Sequence, residues 1–324
     1  MYPADVSQDR PLDVFMAHMD VVFSDETELP LRVEDGRIYC PGVGDDTACL
    51  VCLLLAGKYI ARHVDSPSWR EIRGEDAPGL LLVCNAGEEG LGNLKGVRKI
   101  CEDYGGRIKS FCTFDSSLSS IVDRAVGSKR FRVKVRTRGG HSYNDFGNDN
   151  AIAGLASLVG KLYKIQVPEG GKTTYNVGMI SGGTSVNTIA QEAEMLYEFR
   201  SDKRENLEYM ERQFMEVLDR AKAEGMDVSF QVIGVRPCEG QVDPAQKQAL
   251  TDWAHRVVEE MTGQAPKHHA GSTDCNIPLS LGIPSVCVGS FRGAGAHTRE
   301  EYVETDSLEE GYKVAFGMIF GSRD

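Results

Sequence analysis

Two hydrophobic rhythms divide the chain. Up to about position 125, and again after about 236, short apolar runs ending in glycine, aspartate or histidine alternate with helical patterns. Leu12 to Ala17 reads as a buried strand that ends in His18-Met19-Asp20. Leu31 to Tyr39 contains Asp35-Gly36, a hairpin signal. The glycine-rich segment Pro41 to Thr47 precedes a helix from about Ala48 to His63. Ser66 to Pro78 is polar, carries two prolines and reads as a surface connection. Gly79 to Cys84 is the next strand and runs into Asn85-Ala86-Gly87-Glu88-Glu89-Gly90. A helix over Leu94 to Tyr104 and a strand over Ser110 to Phe114, closing at Asp115, complete this half.

Between the two lies a different pattern. Ile121 to Val126 and Phe131 to Thr137 alternate as strands, Ala151 to Tyr163 has helical spacing, and Thr173 to Ile180 and Glu192 to Arg200 alternate again. Leu207 to Lys222 reads as helix and Val228 to Gly234 as strand. That βαββαβ order is the ferredoxin-like unit. Afterwards the first rhythm resumes: helix Ala245 to Met261, a short helix opened by Gly271 to Asp274, strand Pro284 to Gly289, a glycine-rich loop carrying His297, and helix Ser307 to Phe320. The expected architecture is an α/β domain over 1–125 and 236–324, with a central, twisted, mostly parallel sheet flanked by helices. An inserted ferredoxin-like α+β domain over 126–235 interrupts it.

Composition narrows the function. A net charge of -12 without a basic patch makes nucleic acid an unexpected partner and suits cation binding. No apolar run reaches the ~18 residues of a membrane span. The N-terminus has no positive region followed by an apolar one, so no signal peptide is expected. Nine cysteines, an odd number, sit mostly in apolar runs (Cys49, Cys52, Cys84, Cys112, Cys287), which fits buried thiols and a cytoplasmic location. Cys49-Leu-Val-Cys52 lies in a helical pattern with no second pair and reads as core.

The strand ends carry the chemistry. Successive ends offer His18, then Asp45 or Asp46, then Glu88-Glu89, then Asp115. Each alone has a plain reading as a helix cap or an acidic turn. Together they place imidazole and carboxylate groups at one sheet edge, where open α/β sheets bind ligands and where a two-metal hydrolase site is assembled. Of the adjacent glutamates, one can hold a metal while the other moves a proton.

The ordered set His18-Met-Asp20, Gly44-Asp45-Asp46, Glu88-Glu89-Gly90, Asp115, Gly140-His141-Ser142, Asn187, Arg200 and His297 resembles the di-zinc aminoacylase, carboxypeptidase and peptidase T superfamily of metallopeptidases. GVGDDTA and GEEG bring it nearest to the peptidase T-like branch. The resemblance implies that His18 binds one Zn²⁺ and His297 the other, that Asp45 bridges both, and that Glu89 completes one site and Asp115 the other; Co²⁺ or Mn²⁺ fit such ligands as well. It implies Glu88 as general base to a metal-bound hydroxide and Asp20 as the group orienting His18. His141, from the inserted lid and dimerisation domain, would stabilise the oxyanion across a homodimer interface. Asn187 and Arg200 would contact the substrate, and Ser272 and Thr273 would wall its pocket. His255 reads as a helix residue, and His268 and His269 as rim residues, outside the ligand set. Thr47 stands where the family usually carries lysine, which leaves Asp45 or Asp46 as the bridging ligand, and relatives usually carry several dozen residues ahead of the first ligand strand. The expected activity is hydrolysis of amide bonds in short peptides. Its rivals are an N-acyl amino acid deacylase using the same site and a homologue that binds without turnover.

Overall fold

The computed structural model describes residues 9–23, 28–63, 66 and 77–321. The expected connection at Ser66 to Pro78 falls outside them except for Ser66, Ala77 and Pro78, as does the extreme N-terminus. The described residues form two compact units, one from Met1–Ala125 with Glu239–Asp324, the other from Val126–Cys238.

In the first unit, strand β1 (Leu12–His18) is buried along its whole length. A hairpin of β2 (Arg32–Glu34) and β3 (Arg37–Tyr39) turns at Asp35-Gly36, both at positive φ. Helix α1 (Cys49–His63), strand β4 (Gly79–Asn85), helix α2 (Lys95–Tyr104) and strands β5 (Ile108–Phe114) and β6 (Ser120–Ala125) follow. The second unit contributes β7 (Gly127–Arg136), β8 (Gly140–His141), α3 (Ala151–Leu162), β9 (Thr173–Gly182), β10 (Thr188–Ile189), β11 (Glu192–Ser201), α4 (Arg204–Ala223) and β12 (Asp227–Arg236). The chain returns to the first unit with α5 (Pro244–Thr262), β13 (Lys267–Gly271), α6 (Asn276–Ser280), β14 (Ser285–Val288), β15 (Gly293–Ala294), β16 (Tyr302–Glu304) and α7 (Ser307–Phe320).

The main sheet of the first unit runs β13-β6-β14-β5-β1-β4. Every neighbouring pair is parallel except β14 with β6. A parallel sheet needs both faces covered, which is why β1 is apolar on both sides. Phe15 and Ala17 join α1, α5 and α7 in one core, through Cys49, Cys52, Leu53, Trp253, Val257 and Met318. Leu12, Val14 and Met16 face the other way, against Leu94, Val97 and Ile277 of the α2 and α6 side. The alternation is the two-residue period of a strand. Cys49 and Cys52 are buried in that core as free thiols, whereas Cys84 is exposed on the edge strand β4. The short β13 is absent from the sequence expectation, because Lys-His-His-Ala-Gly has neither alternation nor an apolar run. No helix among the described residues is long and apolar enough to cross a membrane.

In the second unit the sheet runs β12-β7-β11-β9, all antiparallel, in the ferredoxin-like order. One face packs on α3 and α4, with Phe131, Val133, Val135, Tyr197, Phe199, Leu155 and Phe214 at the centre. The opposite face is laced with ion pairs, among them Arg132–Glu194 and Arg136–Glu192 across β7 and β11. Phe214 has no exposure, and its ring centroid lies 4.3 Å from that of Phe131 and 5.4 Å from that of Tyr197. Phe214→Ala is expected to destabilise the protein by about 3–5 kcal/mol through lost burial and the cavity left behind. Urea denaturation would show it, and an unchanged midpoint would disprove the packing described.

Candidate metal centre

Parallel strands end on one rim. The register pairs His18 of β1 with Asn85 of β4, and Phe114 of β5 with Val288 of β14. The loops beyond these ends carry Glu88-Glu89, Asp115 and His297, and the loop after β3 carries Asp45 and Asp46. His297 itself adopts φ 66°, a left-handed conformation uncommon for a non-glycine residue and typical of functional loops.

These side chains meet. Asp45 places one oxygen on each imidazole: Oδ1 lies 2.9 Å from His18 Nε2 and Oδ2 lies 3.1 Å from His297 Nε2. Glu89 Oε1 stands 3.2 Å from His297 Nε2, and Asp115 Oδ1 stands 3.9 Å from His18 Nε2. The ligand-capable atoms fall into three overlapping groups, each within 4.8 Å: His18 with Glu88 and Glu89, His18 with Asp46 and Asp115, and Asp45 with Glu89 and His297. Asp46, joined to Asp45 by a cis peptide bond, is buried and accepts the backbone N–H of His18 at 2.9 Å.

Two further carboxylates shape the loops. The ring Nδ1 of His18 donates to the backbone carbonyl of Asp20 at 2.9 Å, while the Asp20 carboxylate is 3.8 Å away. The hydrogen bond that fixes the ring thus goes to the backbone oxygen of Asp20, with its carboxylate at the longer distance. The side chain instead accepts the N–H groups of Gly87 at 2.8 Å and Glu89 at 3.0 Å, holding the loop that bears the two glutamates. The second, Glu301, lies against the Asp45 loop. Asn85, at the end of β4, donates to the buried Asp274 at 2.6 Å and ties the same rim to the turn before α6.

Electrostatics decides whether the cluster suits a metal. Burial, then the charges of Asp45 and Glu88, push Glu89 up to about 7. Burial also raises Asp115, with Asp46 and Glu88 adding to it, and burial raises Asp46. Burial pushes Asp45 up too, but its hydrogen bond to His18 and the charges of both imidazoles hold it below the usual carboxylate range. Burial opposes charge on His18, yet Asp45, Asp46, Asp115 and Glu88 outweigh it and raise the ring to about 11. Carboxylates crowded this closely, with two imidazoles as counter-charges, call for a cation. The nitrogen and oxygen donor set suits zinc, cobalt or manganese.

The other expected site residues belong to the turn before α6 and to the second unit. Thr273 is buried, and its hydroxyl accepts the N–H of Cys275 at 3.2 Å within the turn before α6. Ser272 is half-buried beside it. In the second unit, His141 is exposed on β8, and Ser142 N–H donates to the Asn187 carbonyl at 3.0 Å, which sets His141 and Asn187 side by side. Arg200 is not with them. It sits at the far end of β11, roughly 26 Å from Glu192 at ~3.3 Å per residue, and its Nε and Nη2 clasp Glu198 at 2.9 and 3.1 Å. His255 on α5 hydrogen-bonds His268 on β13 at 2.8 Å, and His268 meets Asp123 of β6 at 2.9 Å, a group separate from the strand-end ligands. Beside the metal-ligand cluster a cavity of about 290 Å³ is lined by Asp45, Asp115, Ser116, Ser117, Phe291 and Ala294 among others.

A model of peptidase family M20/M25/M40 matches residues 14–320. The acetylornithine deacetylase of Myxococcus xanthus is 24% identical over 290 residues, covering 86% of this chain and 71% of the relative. The succinyl-diaminopimelate desuccinylase of Nitrosomonas eutropha is 24% identical over 323 residues, covering 93% and 80%. Among solved structures, aminopeptidase PepT from Bacillus cereus aligns with a TM-score of 0.68 at 22% identity over 97% of this chain and 82% of that one. The metallo-carboxypeptidase Sso-CP2 from Sulfolobus solfataricus aligns with a TM-score of 0.73 at 15% identity over 97% and 85%. At these identities the structural likeness establishes the fold.

Proposed function

The chain belongs to peptidase family M20/M25/M40, and from that premise we propose that it is a zinc-dependent exopeptidase of short peptides, of the peptidase T-like kind. Hydrolysis of amide bonds is the activity of the family, and this chain is an amide-bond hydrolase. The observation that carries the finer reading is Asp45, with one oxygen on His18 and the other on His297. In this reading His18 and Asp115 would hold one ion, His297 and Glu89 the other, and Asp45 would be shared by both. GVGDDTA and GEEG support the peptidase T-like assignment.

When bound, the ions polarise the scissile carbonyl and lower the pKa of a water to about 7. Glu88 takes the proton of the attacking water and passes it to the leaving amine. Asp20 fixes Glu88 and Glu89 through their loop amides. His141, seated with Asn187, donates to the carbonyl oxygen as negative charge develops there. The inserted unit acts as lid and dimerisation domain, so His141 serves the partner's site. Arg200 keeps its Nη1 donors for a substrate carboxylate while Nε and Nη2 hold Glu198.

A deacylase reading keeps a foothold because two of the relatives above are named as a deacetylase and a desuccinylase. The test is metal content with tripeptide and N-acyl amino acid hydrolysis on one purified sample, before and after chelation. About two ions per chain and chelator-sensitive tripeptide cleavage are expected. Cleavage of N-acyl amino acids alone would transfer the site to the deacylase. Metal without turnover of either would make the chain a binder, and no metal at all would overturn the centre.

A further inference from the structure

We propose that Glu301 is the positioning residue of the metal-binding loop that carries Asp45, holding that carboxylate against His297. The proposal rests on the metal-centre reading above. Glu301 is 2% exposed. Its Oε2 accepts the N–H of Gly42 at 2.6 Å, and its Oε1 accepts those of Gly44 and Asp45, each at 2.8 Å. Successive amides converging on one carboxylate form an anion nest, and charge-assisted bonds of this length are the strong ones. The loop is built for it. Gly42 sits at φ 79°, and a Cβ on Gly44 would come within 2.7 Å of the Phe291 ring and 3.1 Å of Glu301 Oε1.

The main chain of the same residue is anchored on both sides. The carbonyl of Glu301 accepts Cys40 N–H at 3.1 Å, and Tyr302 pairs with Tyr39 across β16 and β3. Glu301 also follows His297 by four positions in one loop. One residue therefore joins the segment presenting His297 to the segment presenting Asp45, whose side chains stand 3.1 Å apart. Glu301 also lines the cavity beside Asp45 and Asp115, and its two carboxylate oxygens together take three backbone N–H groups of the Asp45 loop.

Glutamine cannot replace it, because an amide NH₂ in place of either oxygen would face a backbone N–H. Glu301→Gln is expected to fold, to bind Co²⁺ or Zn²⁺ about 10–100-fold more weakly by chelator competition, and to exchange the Gly44 and Asp45 amide hydrogens faster in the metal-free protein. Glu301→Asp, with both oxygens one methylene short, is expected to lose less, and it serves alone if the glutamine variant does not fold. Unchanged metal affinity in either folded variant, while the parent binds metal, overturns the proposal and leaves the centre standing. A lowered melting temperature with unchanged affinity does the same, as does weakened binding with unaltered Gly44 and Asp45 exchange. A parent that takes up no metal overturns the centre, and the role of Glu301 with it.

Discussion

Glu88→Gln is expected to keep its metal and to lose turnover by about 10²–10⁴-fold, the contribution of a positioned general base. Two adjacent glutamates share the loop after β4, and the structure separates their surroundings. Glu89 faces His297 at 3.2 Å, the place that the proposed reading gives to the ligand of the pair. Glu88 is buried on the His18 side, within 4.8 Å of that ring's ligand atom. The shared clamp of Asp20 on the Gly87 and Glu89 amides means that an isosteric change at Glu88 leaves the loop in place. Glu89→Gln supplies the contrast, since it should release metal. Steady-state kinetics with metal analysis on both variants decides the matter. A Glu88→Gln enzyme that stays active, or that loses its metal while Glu89→Gln keeps it, would reverse the two roles.

What the chain discloses follows from how local each signal is. An apolar run closed by a histidine or carboxylate marks β1 and His18, β4 and the glutamates, and β5 and Asp115, because a strand and its end are written in neighbouring residues. The ferredoxin-like order is equally local, and so are Asp35-Gly36 and the last helix. Contacts between distant segments leave weaker traces. Glu301 reads as half of a Glu-Glu pair, and nothing near it shows that it closes on amides more than 250 residues earlier. Asp20 lies two residues from His18, as an orienting carboxylate should, but in the fold its backbone oxygen takes the ring hydrogen bond and its side chain holds the next loop. Arg200 was legible in principle. Glu198 is two residues before it on the same strand, hence on the same face, and an opposite charge at that spacing announces a clasp. The Thr273 hydroxyl that accepts from Cys275 two residues on is likewise local, a Ser/Thr turn bond that the spacing allows.

Asp45→Asn is expected to disable both halves of the centre at once. Each carboxylate oxygen of Asp45 faces a different imidazole, Oδ1 toward His18 at 2.9 Å and Oδ2 toward His297 at 3.1 Å. An amide keeps one oxygen and turns an NH₂, which cannot ligate a metal, to the other side. Removing charge from a shared ligand should therefore weaken binding by more than the ~10–100-fold typical of an outer partner. The change is best read as stabilisation. Metal at ~100 times its dissociation constant adds about 2.7 kcal/mol per site to a protein that binds it only when folded. The parent should show that increment as a rise in melting temperature on adding zinc, and Asp45→Asn should show almost none. Asp115→Asn, which touches only the His18 side, should keep part of it. Because each protein is compared with and without metal, a shift in metal-free stability does not disturb the reading. If Asp45→Asn gains as much from zinc as the parent, Asp45 does not bridge, and the buried Asp46 becomes the carboxylate to test.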